Sequence, residues 1–518
     1  MRHLIAALAA AAAALGAPAA AAAADTIPQP RAERISWQRC YEVFQCGTLS
    51  VPQNYAAPTG ARVELEMIRK LATSPSDKLR PILFNPGGPG GSGVDMIRSA
   101  ATDVSAFRRL NRRHDLVGFD PRGIGASTPA AQCQKIPAAL ATSQTDLTPA
   151  AVAVDLQPFV ASCVAKTGAV VPFLGTADVA RDMEQIRVAL GQAKLDFFGF
   201  SYGAFLGATY AALFPDSVGN MVLDGADNPD EYANRPLESD LRAAAANQLQ
   251  LERFLDYVQS VKSFRIGKGS GLEAYRRLIA KLRSKPLKVK GVPGLKRLTD
   301  EHVRMMAGEL IATRSTWPTL GEILHAIAKG RGYLPGMYFT LFGFAEQDAA
   351  MIAGSLANSG ADRAVAPEQI TDAYVAAARA AAPDFPDDYW GASQAIAFWP
   401  KAPGRFTGPW TYPAAPSRVP IVVIGTKFDP RTPYEGASAL RTQLGNARLM
   451  SFNGDGHTAF ANDVNGGCID KRVIAYFNGT VPDDNVVCAD RAKYVDPPLL
   501  GRSAAHAAVV ARARPRAH

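Results

Sequence analysis

The pentapeptide Gly199-Phe-Ser201-Tyr-Gly203 matches G-x-S-x-G, and its setting raises it above chance. An apolar run, "KLDFFGF", leads into it, and a helix-period run, "YGAFLGATYAALF", begins at Tyr202. A strand that turns sharply into a helix lifts a serine hydroxyl above the sheet, the arrangement called a nucleophile elbow. A serine hydroxyl is a weak nucleophile until a base takes its proton, so a histidine is required. The chain has seven. His3 lies in the N-terminal apolar segment, His114 precedes the serine, His302 and His325 fall in a helical stretch, and His506 and His518 sit in the tail. His457 remains, in "SFNGDGHTAF", on a loop just after the last apolar strand.

The base needs an acid to fix its tautomer and stabilise the imidazolium. Asp224 in "MVLDG" and Asp429 in "VVIGTKFDP" both end strands between the serine and the histidine. Asp429 ends the penultimate strand, nearer the histidine loop, and is the first choice; Asp224 reads as a turn residue. The order Ser…Asp…His is that of the α/β-hydrolases. Acyl transfer also needs two N–H donors for the developing oxyanion. One belongs to the residue after the nucleophile, Tyr202, and the other to a loop after an earlier strand. "NPGGPGGSG", Asn85 to Gly93, is placed for that role. It also spells G-x-G-x-x-G between a strand and a helix, with Asp120 at the end of the next strand, so a dinucleotide site is the competing reading. That reading leaves Ser201, Asp429 and His457 without a purpose. The loop is expected to be an oxyanion hole.

The elements that must position these residues follow from patterning. Short apolar strands ("PILFN", "HDLVGFD", "KLDFFGF", "NMVLDG", "IVVIGTKFD") alternate with helix-period segments. Such alternation implies a mostly parallel sheet with helices on both faces. "CGTLSVPQNY" and "RVELEMIRKL" read as a preceding strand pair. Between Asp227 and Pro400 strand-like runs vanish and helical ones dominate, as in an inserted helical cap. A Pro/Gly-rich connector, "KAPGRFTGPWTYPAAPSRVP", then leads back to the sheet. The expected fold class is α/β, with a cap inserted into a mostly parallel central sheet.

Composition narrows the function classes. At 518 residues the chain can hold about two to four domain-sized units, and 47% hydrophobic against 20% charged residues excludes wholesale disorder. Residues 1–24 combine a charged start, an apolar run and small residues before Asp25, which predicts a cleaved signal peptide. No other segment reaches spanning length, so no stable membrane insertion is expected. Six cysteines fall into local pairs, Cys40–Cys46, Cys133–Cys163 and Cys468–Cys488, whose simplest reading is three disulfides in an oxidising compartment. No C-x-x-C occurs, and no metal or cofactor is implied. The charge of +9 gathers between Arg253 and Arg297 and in the tail, without the interleaved aromatics that a nucleic-acid partner would require.

"NPGGPGGSG", "FDPRGIGAS", "GFSYG", "DPRTP" and "GDGHTAF", in that order from about Trp37 to Cys488, resemble the secreted tripeptidyl and prolyl aminopeptidase branch of the α/β-hydrolases. The resemblance implies Ser201, Asp429 and His457 as triad, the N–H groups of Gly88 and Tyr202 as oxyanion hole, and peptides with a free N-terminus as substrates. Pro86 stands where related prolyl enzymes carry His, as is usual in the tripeptidyl branch. "FAEQD" is similar to the family's "CAED" segment, which makes Glu346 the candidate for the substrate's α-amino group; the plain alternative is a solvent-facing helix acid. Phe344 and Ile396 stand where family members often have Cys, so no cap bridge is expected. The implied organisation is a signal peptide (1–24), a first core part (25–226), the cap (227–400), a C-terminal core part typical of the tripeptidyl group (401–490) and a basic tail (491–518). A carboxylesterase using the same triad is the leading alternative.

Overall fold

A computed structural model describes residues 34–134, 149–341, 349–385, 391–400, 419–462 and 467–490. The signal segment, most of the connector, Phe344, Glu346 and the tail lie outside the described residues.

The apolar runs pair into one ten-stranded sheet: β1 (Gln38–Cys40), β2 (Phe44–Pro52), β3 (Arg62–Lys70), β4 (Ile82–Asn85), β5 (Leu116–Phe119), β6 (Leu195–Phe200), β7 (Val218–Asp224), β10 (Ile421–Phe428), β11 (Ala447–Asp455) and β12 (Val486–Ala489). Their spatial order is β1-β2-β3-β5-β4-β6-β7-β10-β11-β12. The first three pairings are antiparallel and every later one is parallel. β4, β5, β6 and β7 are buried along their whole length, as expected of strands covered on both faces. Period-2 geometry sends Phe197 and Leu223 into one layer and Phe198 and Val222 into the other.

Register matters most for function. Asn85 pairs with Gly199, Phe200 with Asp224, Asp224 with Ile424, and Phe428 with Asp455. Parallel strands therefore end side by side, and the loops leaving that edge carry the glycine run, Ser201, Asp429 and His457. Ligand sites of open α/β sheets lie outside this carboxyl edge.

Between β7 and β10 the chain is helical, with its own apolar cluster around Phe254, Tyr257 and Trp317. The absence of strands expected there does not hold fully: Leu287–Lys288 (β8) and Arg297–Leu298 (β9) form a two-residue antiparallel pair. It is too short for any period-2 pattern to reveal. Two helical features follow. Pro149–Thr167 is a helix that carries Cys163. The segment after the glycine loop is two helices, Gly93–Asp103 and Ser105–Leu110, because Val104 is extended at φ −96° and ψ 124°. One window, Leu156–Phe173, is long and apolar enough to cross a membrane, but its Leu156, Phe159, Val160 and Val170 pack into the main core.

All three cysteine pairs are bonded: Cys40–Cys46, Cys133–Cys163 and Cys468–Cys488. "DPRG" also has a structural task. Arg122 is fully buried and forks onto Asp182, with its Nε 2.7 Å from Oδ2 and a terminal nitrogen 2.6 Å from Oδ1. The Tyr55 hydroxyl donates to the same carboxylate at 2.7 Å.

Candidate active site

Ser201 stands between β6 and the helix Tyr202–Leu213 with φ 55° and ψ −124°, a conformation costly for a residue with a Cβ. The flanking glycines are required by contact. A Cβ on Gly199 would lie 2.1 Å from the Gly203 carbonyl oxygen, and one on Gly203 would lie 2.8 Å from that of Asn85. The Ser201 N–H donates to the Asp224 carbonyl at 2.8 Å, tying the turn to the neighbouring strand.

Asp429 follows β10 and is fully buried. Its Oδ1 accepts from the backbone N–H groups of Arg431 and Thr432, both at 2.9 Å, and its Oδ2 from Thr458 at 3.2 Å. His457 Nδ1 lies 2.9 Å from Oδ1 and 3.0 Å from Oδ2. The His457 ring keeps a fifth of its surface exposed. Burial pulls its pKa down, but the Asp429 carboxylate outweighs burial by charge and hydrogen bond and holds it above the ordinary value. An imidazole whose Nδ1 is so held is a stronger base than a free one.

Two neighbours have roles that sequence reasoning did not give. The Thr432 hydroxyl is 3.3 Å from His457 Nδ1. Asp224, read as a turn residue, is fully buried and accepts from Ala459 N–H at 3.0 Å and Phe460 N–H at 2.8 Å. One residue thus holds the serine turn through its carbonyl and the histidine loop through its carboxylate. Burial pushes that carboxyl up to about 7 against the pull of the two amides. Asp227, close behind, is likewise pushed up to about 7 by burial, with Arg363 and His457 opposing. Spacing could have pointed to Thr432, three residues beyond an aspartate in a turn; Asp224 was visible as a strand-end aspartate, but nothing local shows that it receives the Ala459 and Phe460 amides.

The glycine loop lies against the elbow. A Cβ on Gly87, at φ 90°, would be 2.3 Å from the Phe200 carbonyl oxygen and 3.1 Å from the Tyr202 nitrogen. The Gly87 N–H is occupied by Asn85 Oδ1 at 3.0 Å. Among the described residues, neither the Gly88 nor the Tyr202 N–H meets an acceptor. Tyr202 opens its helix, where the dipole favours negative charge. The dinucleotide reading fails on Asp120. Its carboxylate accepts from Val94 N–H at 3.2 Å and from the Ser92 hydroxyl, so it already occupies the helix N-terminus that a pyrophosphate would need. Among the described residues no group of three His, Cys, Asp or Glu side chains is placed to hold a metal.

Residues 80–272 match the alpha/beta hydrolase fold family and residues 384–488 the TAP-like protein family. The chain is 32% identical over 476 residues to serine protease Hip1 of Mycobacterium tuberculosis, covering 86% of this chain and 87% of that one. It belongs to the tripeptidyl aminopeptidase-like branch of the α/β-hydrolases. The tripeptidyl aminopeptidase of Streptomyces lividans is 28% identical over 498 residues, with 90% and 89% of the two chains covered. Carboxylesterase B of M. tuberculosis is 32% identical over 499 residues, with 88% and 90% covered. The family therefore carries peptidase and esterase names alike, and this member is a hydrolase of the α/β fold.

Proposed function

We propose that the protein is an exported serine exopeptidase that releases short N-terminal fragments from peptides. The observation that carries this reading is the buried Asp429 carboxylate on His457 Nδ1 at 2.9 Å, on loops leaving the same sheet edge as Ser201. Ser201 Oγ attacks the peptide carbonyl while His457 Nε2 takes its proton. The Gly88 and Tyr202 N–H groups stabilise the oxyanion. His457 then gives the proton to the leaving amine, and the N-terminal fragment remains as an ester on Ser201. Water, deprotonated by His457, attacks that ester, and the proton returns to Ser201 as the acid product leaves. Asp429 keeps Nδ1 protonated throughout. Glu346 anchors the substrate's α-amino group, since a buried ammonium is costly unless paired. Three disulfides accord with export.

The test compares the mature enzyme with Ser201→Ala on Ala-Ala-Pro-nitroanilide, free and N-acetylated, beside a short-chain nitrophenyl ester. Ser201-dependent cleavage of the free peptide alone is the expected result. Equal cleavage of the blocked peptide would remove the amino-group anchor. Turnover of the ester alone would make the protein a carboxylesterase, the second reading favoured by the relative of that name.

A further inference from the structure

From Lys262 to Arg297 the chain carries twelve Lys and Arg against one acid, Glu273, so this stretch alone exceeds the net charge of +9 of the whole chain. Every one of the twelve is exposed. Among the described residues only Arg276 and Arg283 meet carboxylates, those of Asp384 and Asp300. The helix Gly271–Ser284 buries Tyr275, Leu278 and Leu282 and turns its basic residues outward. It runs straight into the β8–β9 hairpin, where Lys288 pairs with Arg297 and Val289 N–H closes on the Lys296 carbonyl at 3.0 Å. The tip is different in kind. Val292 and Leu295 are half-exposed and Pro293 is exposed. Tyr333, 55% exposed, sits beside the tip, where a Cβ on Gly291 would lie 3.5 Å from its ring.

We propose that this face of the cap docks the protein on an anionic lipid surface, the lysines and arginines meeting lipid phosphates and the Val292–Leu295 tip with Tyr333 entering the headgroup layer. Like charges crowded without counter-charges repel one another, and an anionic surface removes that repulsion. A polybasic stretch gains affinity for anionic lipid with each added cation. An amphipathic aromatic beside a small apolar tip suits the interface between headgroups and acyl chains. Single-stranded nucleic acid would call for several stacking aromatics in the groove, and this face exposes one. The docking is peripheral and independent of the hydrolytic reading.

The experiment is co-sedimentation of the mature chain with vesicles of phosphatidylcholine, with and without about 30% phosphatidylglycerol, read against soluble polyphosphate as competitor. Binding should require phosphatidylglycerol and vanish near 0.5 M salt, where the Debye length is only roughly 4 Å. The variant Lys288→Gln/Lys290→Gln/Lys296→Gln/Arg297→Gln should bind up to about 1000-fold more weakly. Tyr333→Ser should weaken vesicle binding several-fold while leaving polyphosphate binding unchanged. All five positions are exposed, and circular dichroism with the urea midpoint verifies that both variants fold. Equal binding to neutral vesicles, unchanged binding of the four-site variant, or insensitivity of vesicle binding to Tyr333→Ser would each overturn the lipid assignment. The last of these, with tight polyphosphate binding, would point to a soluble polyanion.

Discussion

Ser201→Gly should give a more stable protein than Ser201→Ala, although both lack the hydroxyl. Ser201 holds φ at 55° and ψ at −124°, outside the regions open to a residue with a Cβ. Such a backbone costs about 1–3 kcal/mol. Alanine keeps the Cβ and the strain, whereas glycine removes both. Glycine also loses more freedom on folding, which returns roughly 0.5–1 kcal/mol of the gain. The balance favours glycine by about 0.5–2 kcal/mol. With a urea slope of about 3 kcal/mol/M for a chain of this size, the midpoint should rise by a few tenths of a molar. Removing the Cβ opens no large void, because Gly87 stands against it: a Cβ there would be only 2.9 Å from that of Ser201. The assay is urea unfolding of the two variants followed by tryptophan fluorescence. A midpoint for Ser201→Gly equal to or below that of Ser201→Ala would refute the view that the turn is strained to raise the hydroxyl.

Three other expectations follow from the same geometry. Asp429→Asn should lower kcat/KM about 10⁴-fold, and the acid limb of its pH–rate profile should move to lower pH, because burial then acts on His457 without the carboxylate that outweighs it. Asp224→Asn removes a carboxyl whose folded-state pKa is raised to about 7. Such a group contributes stability that is complete below about pH 4 and lost as pH rises through 7. The urea midpoint of the variant relative to the parent should therefore climb between those limits, by up to about 4 kcal/mol in stability. Asp227 titrates alike in both proteins and cancels in the comparison. Replacing Cys133 and Cys163 by serine should cost about 3 kcal/mol, read from the same denaturation curve.

The sheet was legible because its inner strands are buried on both faces and must be apolar throughout; "KLDFFGF" and "IVVIGTKFD" have few other readings. The edges were not. β1 exposes two of its three residues and β12 keeps only Cys488 buried, so neither shows a pattern. The Ser201 turn was legible from its glycines, and the Asp429–His457 contact from elimination and chain order, signals that need no tertiary information. Asp224 has the same local look as Asp429, an aspartate ending an apolar strand. What separates them is which loop crosses above, since Asp429 receives an imidazole and Asp224 two amides of the segment that follows it. The Asp224 contacts join residues more than 200 apart, which no local pattern records.

The helical segment between β7 and β10 takes part in holding these groups. Ala312 accepts the His457 N–H at 2.6 Å, and Arg253 pairs with Asp455 at 2.5 Å at the end of the strand that carries the histidine loop. Arg431, two residues past Asp429, meets Glu309 at 3.1 Å. On the serine side the Tyr202 hydroxyl contacts Thr176, whose N–H donates to Asp362 at 2.9 Å, and Asp362 closes the cap helix Ala349–Asp362. That helix also bounds the glycine loop, where a Cβ on Gly90 would lie 2.8 Å from the Met351 carbonyl oxygen. The helical segment between β7 and β10 thus touches His457 directly, and reaches the Asp429 turn through Arg431 and the Ser201 turn through Thr176. If, as proposed, Ser201, Asp429 and His457 do the chemistry, a substitution that shifts this segment will lower kcat, because the segment carries the Ala312 hydrogen bond that holds the histidine loop.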